Sequence, residues 1–177
     1  MTSAYRVIDI TRELLSTPPY PGDDAPSLKA AAPRSDMAGF LTQYLTASLH
    51  GATHFDAPLH LCENGTDVAA IELASCMGSC IVTSDSSAKA QRLLLRGVQL
   101  SAKQAEMLDC ILIGTDKNSI ALPRCEKEVH RILFEKGIVI LENLNLDAAS
   151  DGEYTLVALP LKIRGGEASP TRAILIK

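Results

Sequence analysis

Three of the four histidines in this chain, His50, His54 and His60, lie within one stretch of eleven residues, together with Asp56. Imidazole nitrogens and a carboxylate oxygen are ligands that suit zinc or manganese better than calcium or magnesium. Because His54 and Asp56 are two residues apart, their side chains point the same way in an extended segment. The composition of this stretch therefore predicts a site for a transition-metal ion.

The spacing of His50 and His54 restricts the backbone around this site. A helix would put both on one face, but Gly51 and Pro58 disfavour a helix here. In a straight strand the two histidines would stand roughly 13 Å apart, which is too far for one ion. We therefore predict a turn between them, for which Gly51 supplies the backbone freedom, followed by an extended segment that carries His54 and Asp56.

His60 leaves two interpretations open. Pro58 fixes the chain between Asp56 and His60, so His60 could be a fourth ligand. It could instead be a free imidazole beside the ion, where it would act as a general acid or base near neutral pH.

Two residues far from this stretch are candidates for a second part of the site. Glu142 ends an apolar run, and α/β sheets place functional groups where buried strands end. His130 lies on a predicted helix, where a single histidine is more often solvated than functional. If the helix, Gly137 and the returning strand meet at one end of the sheet, His130 and Glu142 could complete a site for a second ion bridged by Asp56.

The periodicity of the chain predicts the strands that must position these residues. Alternating polar and apolar residues predict a half-buried strand at residues 6–11. Continuous apolar runs at residues 110–113 and 138–141 predict buried strands. Further strands are predicted at residues 41–49, 80–83, 155–163 and 171–176, the last two separated by Gly165, Gly166 and Pro170. Strands outnumber helices, so we expect a layered α/β or α+β domain.

Two helices are predicted between these strands. Ser101 is a typical N-cap for a helix over residues 102–108. A second helix over residues 126–136 is followed by Gly137, a residue favoured just after a helix C-terminus. Three prolines within residues 17–23 exclude regular structure there, so we expect a stiff, exposed loop that includes Tyr20.

Length and composition exclude several classes of protein. A chain of 177 residues is the size of one domain, predicted to span residues 1–177. Its net charge of −4 lacks the basic surface of a nucleic-acid-binding protein. No apolar run approaches the roughly 20 residues of a membrane helix, and the first residues lack the pattern of an export signal. Five irregularly spaced cysteines indicate reduced thiols. We expect a cytoplasmic protein with a small-molecule substrate and no nucleic-acid or membrane partner.

The stretch from His50 to His60 resembles a known signature, His-x-Gly/Thr-x-His-x-Asp-x-Pro-x-His. It is typical of the metal-dependent cyclase and hydrolase family that includes bacterial kynurenine formamidases and isatin hydrolases. Other resemblances follow in the family's order. They are the Tyr-Pro-Gly-Asp loop at residues 20–23, the helix-to-strand segment at residues 129–143, and the C-terminal segments at residues 158–162 and 168–173.

The resemblance implies roles for individual residues. The implied metal ligands, which would hold one or two zinc or manganese ions per chain, are His50, His54, Asp56, His130 and Glu142. Asp56 and Glu142 would bridge the two ions. His60 would be the proton donor or acceptor, and Tyr20 would contact the substrate.

The resemblance also implies a fold and an activity. The fold would be α/β, a three-layer β/β/α, swivelling-domain-like mixed sheet, assembled into a homodimer or homotetramer. The activity would be hydrolysis of a non-peptide amide by metal-activated water, as in the arylformamidase of tryptophan catabolism. The alternatives are a related cyclase or lactam hydrolase, and a homologue that binds metal or ligand without turnover. The last alternative arises because the chain is shorter than most members, with a helix and a strand expected to be absent between residues 113 and 130.

Overall fold

The computed structural model describes residues 5–32 and 39–177, and within them the fold is mixed α/β. The strands are β1 (Val7–Asp9), β2 (Ser27–Ala30), β3 (Gln43–Thr46), β4 (His54–Asp56), β5 (Met77–Thr83), β6 (Arg92–Leu95), β7 (Leu112–Thr115), β8 (Val139–Glu142), β9 (Gly152–Pro160) and β10 (Ala168–Ile176). The helices are α1 (Ala102–Met107), between β6 and β7, and α2 (Glu126–Glu135), between β7 and β8.

The main sheet closes on itself. Its strands follow the order β10-β4-β8-β7-β6-β5-β9, and β9 pairs again with β10 to complete a barrel-like ring. The pairs β5–β6, β6–β7 and β7–β8 are parallel, whereas the other pairs are antiparallel. β1 joins the sheet outside the ring, beside the C-terminal end of β10. Closure pairs most strand edges and so protects the backbone from unwanted association.

Strands β6, β7 and β8 are buried along almost their whole length because they separate two hydrophobic cores. On β6, Leu94 packs inside the barrel, whereas Leu93 and Leu95 pack toward the helices. On β8, Leu141 faces the barrel interior and Ile140 faces the helices. Burial on both faces explains why these strands show no alternation in the sequence.

Both predicted helices are confirmed, and each ends one residue earlier than predicted. α1 begins with a capping box in which the Ser101 hydroxyl accepts the Gln104 N–H and the Gln104 side chain accepts the Ser101 N–H. α2 is followed by Gly137 at a φ of +70°, a conformation that glycine adopts without a steric penalty. Neither helix is long and apolar enough to cross a bilayer, a finding that covers the described residues.

Several strands differ in extent from their predictions. β10 begins at Ala168 and contains Pro170, which was expected to separate two segments; it pairs with His54 of β4. β3 is shorter than the predicted strand at residues 41–49, and it pairs only with β2 in a two-stranded ribbon. Residues 17–23 form no helix or strand, as predicted. All five cysteines are free thiols.

The segment between β7 and α2 is short, as predicted. It runs over residues 116–125 without a further helix or strand, apart from one bridge that joins Leu100 to Ala121. The description of the fold as a three-layer, swivelling-domain-like arrangement stays a prediction.

Candidate metal centre

Three elements bring the predicted ligands to one place. Phe55 of β4 is buried inside the barrel, so the alternation of the strand sets His54 and Asp56 on the opposite, helix-facing side. β4 pairs with β8 so that His54 lies directly opposite Glu142. Directly opposite residues in an antiparallel pair share one face of the sheet. α2 covers this side of β8 and brings the His130 side chain over it.

The predicted turn between His50 and His54 is present, but Gly51 is not its unusual residue. The left-handed conformation falls on Ala52, whose φ is +54°. Gly51 is needed for a different reason. A β-carbon there would lie 2.9 Å from the Leu14 side chain and 3.0 Å from the backbone oxygen of Ser48. The prediction that Gly51 supplies the conformational freedom of the turn was therefore wrong.

Every carboxylate oxygen of Asp56 and Glu142 lies close to at least one imidazole nitrogen. Asp56 Oδ1 lies 3.1 Å from His50 Nδ1 and 3.3 Å from His54 Nε2. Asp56 Oδ2 lies 3.4 Å from His130 Nε2. Glu142 Oε1 is 3.3 Å from His130 Nε2, and its Oε2 is 3.8 Å from His54 Nε2. Three sets of possible metal ligands result. His50–His54–Asp56 and Asp56–His130–Glu142 share Asp56, and the third, His50–His60–Glu167, shares His50 with the first.

Backbone carbonyls set the orientation of two of the imidazoles. His54 Nδ1 donates to the Ala52 oxygen at 2.8 Å, and His130 Nδ1 donates to the Glu126 oxygen at 2.7 Å. Because a carbonyl oxygen can only accept, Nδ1 carries the proton in both rings. Nε2 of each neutral ring is then free to act as a ligand, the arrangement usual for metal-binding histidines.

Two atoms of this cluster support the fit of a metal ion. His54 Nε2 and Asp56 Oδ1 are buried, and neither makes a hydrogen bond to any described residue, although they lie only 3.3 Å apart. A buried polar atom without a partner is costly. A divalent ion would satisfy both atoms, and the set of three imidazoles and two carboxylates is one that such ions accept. The residues present therefore fit a metal centre.

The charged side chains of the cluster shift one another's pKa values. Burial acts to lower the pKa of His50 and His130, but the Asp56 carboxylate outweighs it, with help from Glu167 and Glu142 respectively. The pKa is raised to about 9 for His50 and to about 10 for His130. Burial acts to raise the pKa of Asp56, yet its close contacts with His130, His50 and His54 hold it well below its ordinary value. Protons and metal ions therefore compete for the same imidazoles.

His60 and Tyr20 border a cavity of about 400 Å³ that reaches the cluster. The His60 side chain is 40% exposed, against 4% for that of His54. Its ring centroid lies 4.4 Å from that of His50 and 6.2 Å from that of His130. Tyr20 is 54% exposed and lies on the proline-rich loop. His60 is thus next to both ligand sets that contain Asp56 and open to the cavity, and the Tyr20 ring is also largely open to solvent.

Two neighbours of the cluster were missed in the sequence. The backbone N–H of Ile120 donates to Glu142 Oε1 at 2.6 Å and fixes this carboxylate. Glu167 Oε2 lies 2.6 Å from His50 Nε2 and 3.0 Å from His60 Nδ1. The sequence held one indirect signal for Glu167, since it directly precedes residues 168–173, which carry part of the family resemblance.

Comparison with known proteins gives consistent matches. The sequence profile of the Cyclase family, described as "Putative cyclase", matches residues 8–148. A kynurenine formamidase of Erythrobacter litoralis is 32% identical over 205 residues, which cover 98% of this chain and 94% of the relative. A kynurenine formamidase of Bacillus cereus is 31% identical over 188 residues, which cover 88% of this chain and 90% of the relative.

Solved structures share the fold. One is described as a potential metal-dependent hydrolase with cyclase activity; it has a TM-score of 0.81 and 24% identity, and 98% of each chain is covered. Isatin hydrolase A from Labrenzia aggregata has a TM-score of 0.78 and 20% identity, over 98% of this chain and 94% of the other.

Proposed function

The chain belongs to the Cyclase family, and from that premise we propose that it is a metal-dependent hydrolase of a non-peptide amide, with an activity like that of kynurenine formamidase. The observation that carries the proposal is the pair of ligand sets that share Asp56 beside an open cavity. The curated relatives, which are named for hydrolysis of a formamide, match this chain over nearly its whole length.

We propose that these two sets hold one or two zinc or manganese ions. His50, His54 and Asp56 would hold one, while His130 and Glu142 would hold the other together with Asp56. A divalent ion there supplies Lewis acidity toward a carbonyl oxygen and toward water. Glu142 is kept in place for this role by the Ile120 N–H.

His60 is proposed to move the proton of the reaction. Its Nδ1 faces Glu167, so Nε2 is the nitrogen available to the cavity. There it accepts a proton from the attacking water as the new carbon–oxygen bond forms. It returns that proton to the amine nitrogen as the carbon–nitrogen bond breaks, so that an aryl formamide yields formate and an aryl amine.

Tyr20 is proposed to contact the aryl part of the substrate. The cavity of about 400 Å³ lies within the range of roughly 300–1,000 Å³ that is usual for small-molecule sites. The Tyr20 ring borders it with Pro18 on the same stiff loop, and the pair offers an apolar surface suited to an aromatic ring.

A second candidate function is metal binding without turnover. The short connection over residues 116–125 favours it, because Asn118 and Ser119 of this segment line the cavity. A short segment in the cavity wall would change how a substrate is held even when the metal ligands are complete. A cyclase or lactam hydrolase acting on a similar carbonyl is the alternative within enzymes.

We also propose that the protein is cytoplasmic and forms a homodimer or homotetramer. The two-stranded ribbon of β2 and β3 supports assembly, because such a ribbon is only marginally stable by itself. It exposes Leu28, Tyr44 and Leu45. The layered β/β/α description of the fold is proposed too, with support from the two cores on either side of β6, β7 and β8.

Elemental analysis combined with a metal-restored activity screen tests the proposal. The purified protein is stripped with a chelator, reloaded with zinc or manganese, and assayed on N-formylated anilines, lactams and esters. We expect formamide hydrolysis that is lost on stripping and returns on reloading. Hydrolysis of lactams alone would favour the related enzyme, and a fully loaded protein that hydrolyses nothing would favour the binding homologue.

A further inference from the structure

Glu167 contacts two histidines that the proposed function uses for different purposes. One oxygen, Oε2, lies 2.6 Å from His50 Nε2 and 3.0 Å from His60 Nδ1. An ionised carboxylate only accepts hydrogen bonds, so each of these imidazole nitrogens must carry a proton. The two rings lie against each other with centroids 4.4 Å apart. A single carboxylate oxygen thus joins a proposed metal ligand to the proposed proton carrier.

The backbone holds Glu167 in this position. Its carbonyl oxygen accepts the Ala57 N–H at 2.9 Å, directly after β4. The preceding carbonyl, that of Gly166, accepts the Val68 N–H at 2.8 Å. The next residue, Ala168, pairs with Asp56 at the start of β10. Because the backbone is fixed on both sides, Glu167 presents its carboxylate to the same end of β4 that carries the ligands.

These contacts determine which nitrogens of the two neutral rings stay unprotonated. With its Nε2 proton bonded to Glu167, His50 keeps the lone pair on Nδ1, which lies 3.1 Å from Asp56 Oδ1. With its Nδ1 proton bonded to Glu167, His60 keeps the lone pair on Nε2. Which ring nitrogen is a ligand or a base is set by the hydrogen bond that the other nitrogen makes.

We propose that Glu167 is a positioning residue that fixes the tautomer and the ring orientation of His50 and His60 together. In this role it acts through the two histidines. One carboxylate then orients both the proposed metal ligand His50 and the proposed proton carrier His60. The part that concerns His60 rests on the proposed function, whereas the part that concerns metal binding and tautomers does not.

Glu167→Gln is the informative variant, because the side chain keeps its size. The amide oxygen can accept from one imidazole, but the amide nitrogen donates, so the other ring must turn or change tautomer. Glu167→Asp retains the acceptor at a shorter reach. Glu153→Gln on β9 is the matched control, since it removes the same charge from an exposed position away from the cluster.

The first readout is metal affinity, measured by competition with a chelator. Loss of a partner that orients a metal-binding histidine typically weakens binding by about 10–100-fold. We expect a loss in that range for Glu167→Gln, a smaller loss for Glu167→Asp and none for Glu153→Gln. Equal affinities for wild type and Glu167→Gln would overturn the link to His50.

The second readout is the tautomer of His60, measured by nitrogen NMR on the zinc-loaded protein, with signals assigned by their loss in His60→Ala. We expect the Nδ1–H form in wild type and a changed form in Glu167→Gln. An Nε2–H form in wild type, or the same form in both proteins, would overturn the assignment. Neither of these readouts needs a substrate, so both decide the inference even if no amide is hydrolysed.

Turnover supplies a third readout when a substrate is available. At saturating metal, we expect Glu167→Gln to lower kcat by about 10-fold or more when His60 is present. In the His60→Ala background it should have little further effect, because residues that act through one another are not additive. Equal losses in both backgrounds would contradict an action through His60.

Discussion

His54 of β4 lies directly opposite Glu142 of β8, and both side chains are buried on the face that α2 covers. This register brings residues that are 88 positions apart in the sequence into one cluster, with His54 Nε2 and Glu142 Oε2 3.8 Å apart. A shift of β8 by one residue against β4 would turn the Glu142 side chain into the barrel interior, because side chains alternate along a strand. The pairing of β4 with β8 is therefore a condition for the candidate metal centre.

Replacement of His54 or Asp56 with alanine should remove most of the bound metal. Each offers a buried ligand atom without a hydrogen-bond partner among the described residues, and no neighbouring side chain can take its place. Elemental analysis of the purified variants measures the content. Asp109→Ala, at an exposed site, is the control and should keep its metal. Full metal content in His54→Ala would show that the ion binds elsewhere.

His60→Ala should keep its metal but lose turnover by about 10²–10⁴-fold, the usual contribution of general acid–base catalysis. His60 belongs to neither ligand set that contains Asp56, and its side chain is open to the cavity. Metal content and kcat are measured on the same preparation. If the variant arrives without metal, His60 is a ligand, and if it turns over like wild type, the proton is carried by another group.

The metal-free protein should become less stable as the pH rises from 6 to 10. A group with a raised pKa in the folded state stabilises the fold below its unfolded pKa and loses that contribution as the pH passes its folded pKa. The unfolded pKa of histidine is about 6.5, and the folded values are about 9 for His50 and about 10 for His130. Thermal unfolding with a chelator present measures the trend.

Metal should reverse part of this trend, because it binds the deprotonated imidazoles. The rise in Tm on adding zinc is expected to be larger at pH 8 than at pH 6. In His50→Asn without metal, the decline of Tm with pH should be shallower. A metal-free wild type whose Tm increases between pH 6 and pH 10 would contradict the charge coupling at this site.

Gly51→Ala and Ala52→Gly should have opposite effects on stability. A β-carbon at Gly51 meets the Ser48 oxygen at 3.0 Å, so we expect a loss of about 1–3 kcal/mol. At Ala52 the φ of +54° disfavours alanine, so glycine should be neutral or stabilising by up to about 1 kcal/mol. Denaturant unfolding compares the two variants. The reverse order would place the left-handed residue at Gly51.

The ribbon of β2 and β3 should determine the oligomeric state. Light scattering at micromolar concentration is expected to give a dimer or tetramer for wild type and a smaller species for Leu45→Glu, because a charge replaces an exposed apolar contact. Met107→Glu changes an exposed apolar residue on α1 and should leave the assembly unchanged. A monomeric wild type would exclude this interface.

The sequence by itself determined the features that depend on near neighbours. The Ser101 cap started α1 where it was predicted, because the cap and its partner Gln104 are three residues apart. The apolar runs of β7 and β8 indicated strands buried on both faces. The two-residue spacing of His54 and Asp56 set them on one side of an extended segment.

Only the tertiary structure decided how distant residues meet. Judged from its helix alone, His130 was expected to be solvated, yet it is buried because α2 packs across β8 onto Asp56 and Glu142. Glu167 meets His60, which is 107 positions away, because β10 pairs with β4. Strand pairing is chosen by the burial of whole faces and the closure of the sheet. These contributions to the free energy come from contacts between distant residues, so the spacing of residues along the chain does not reveal them.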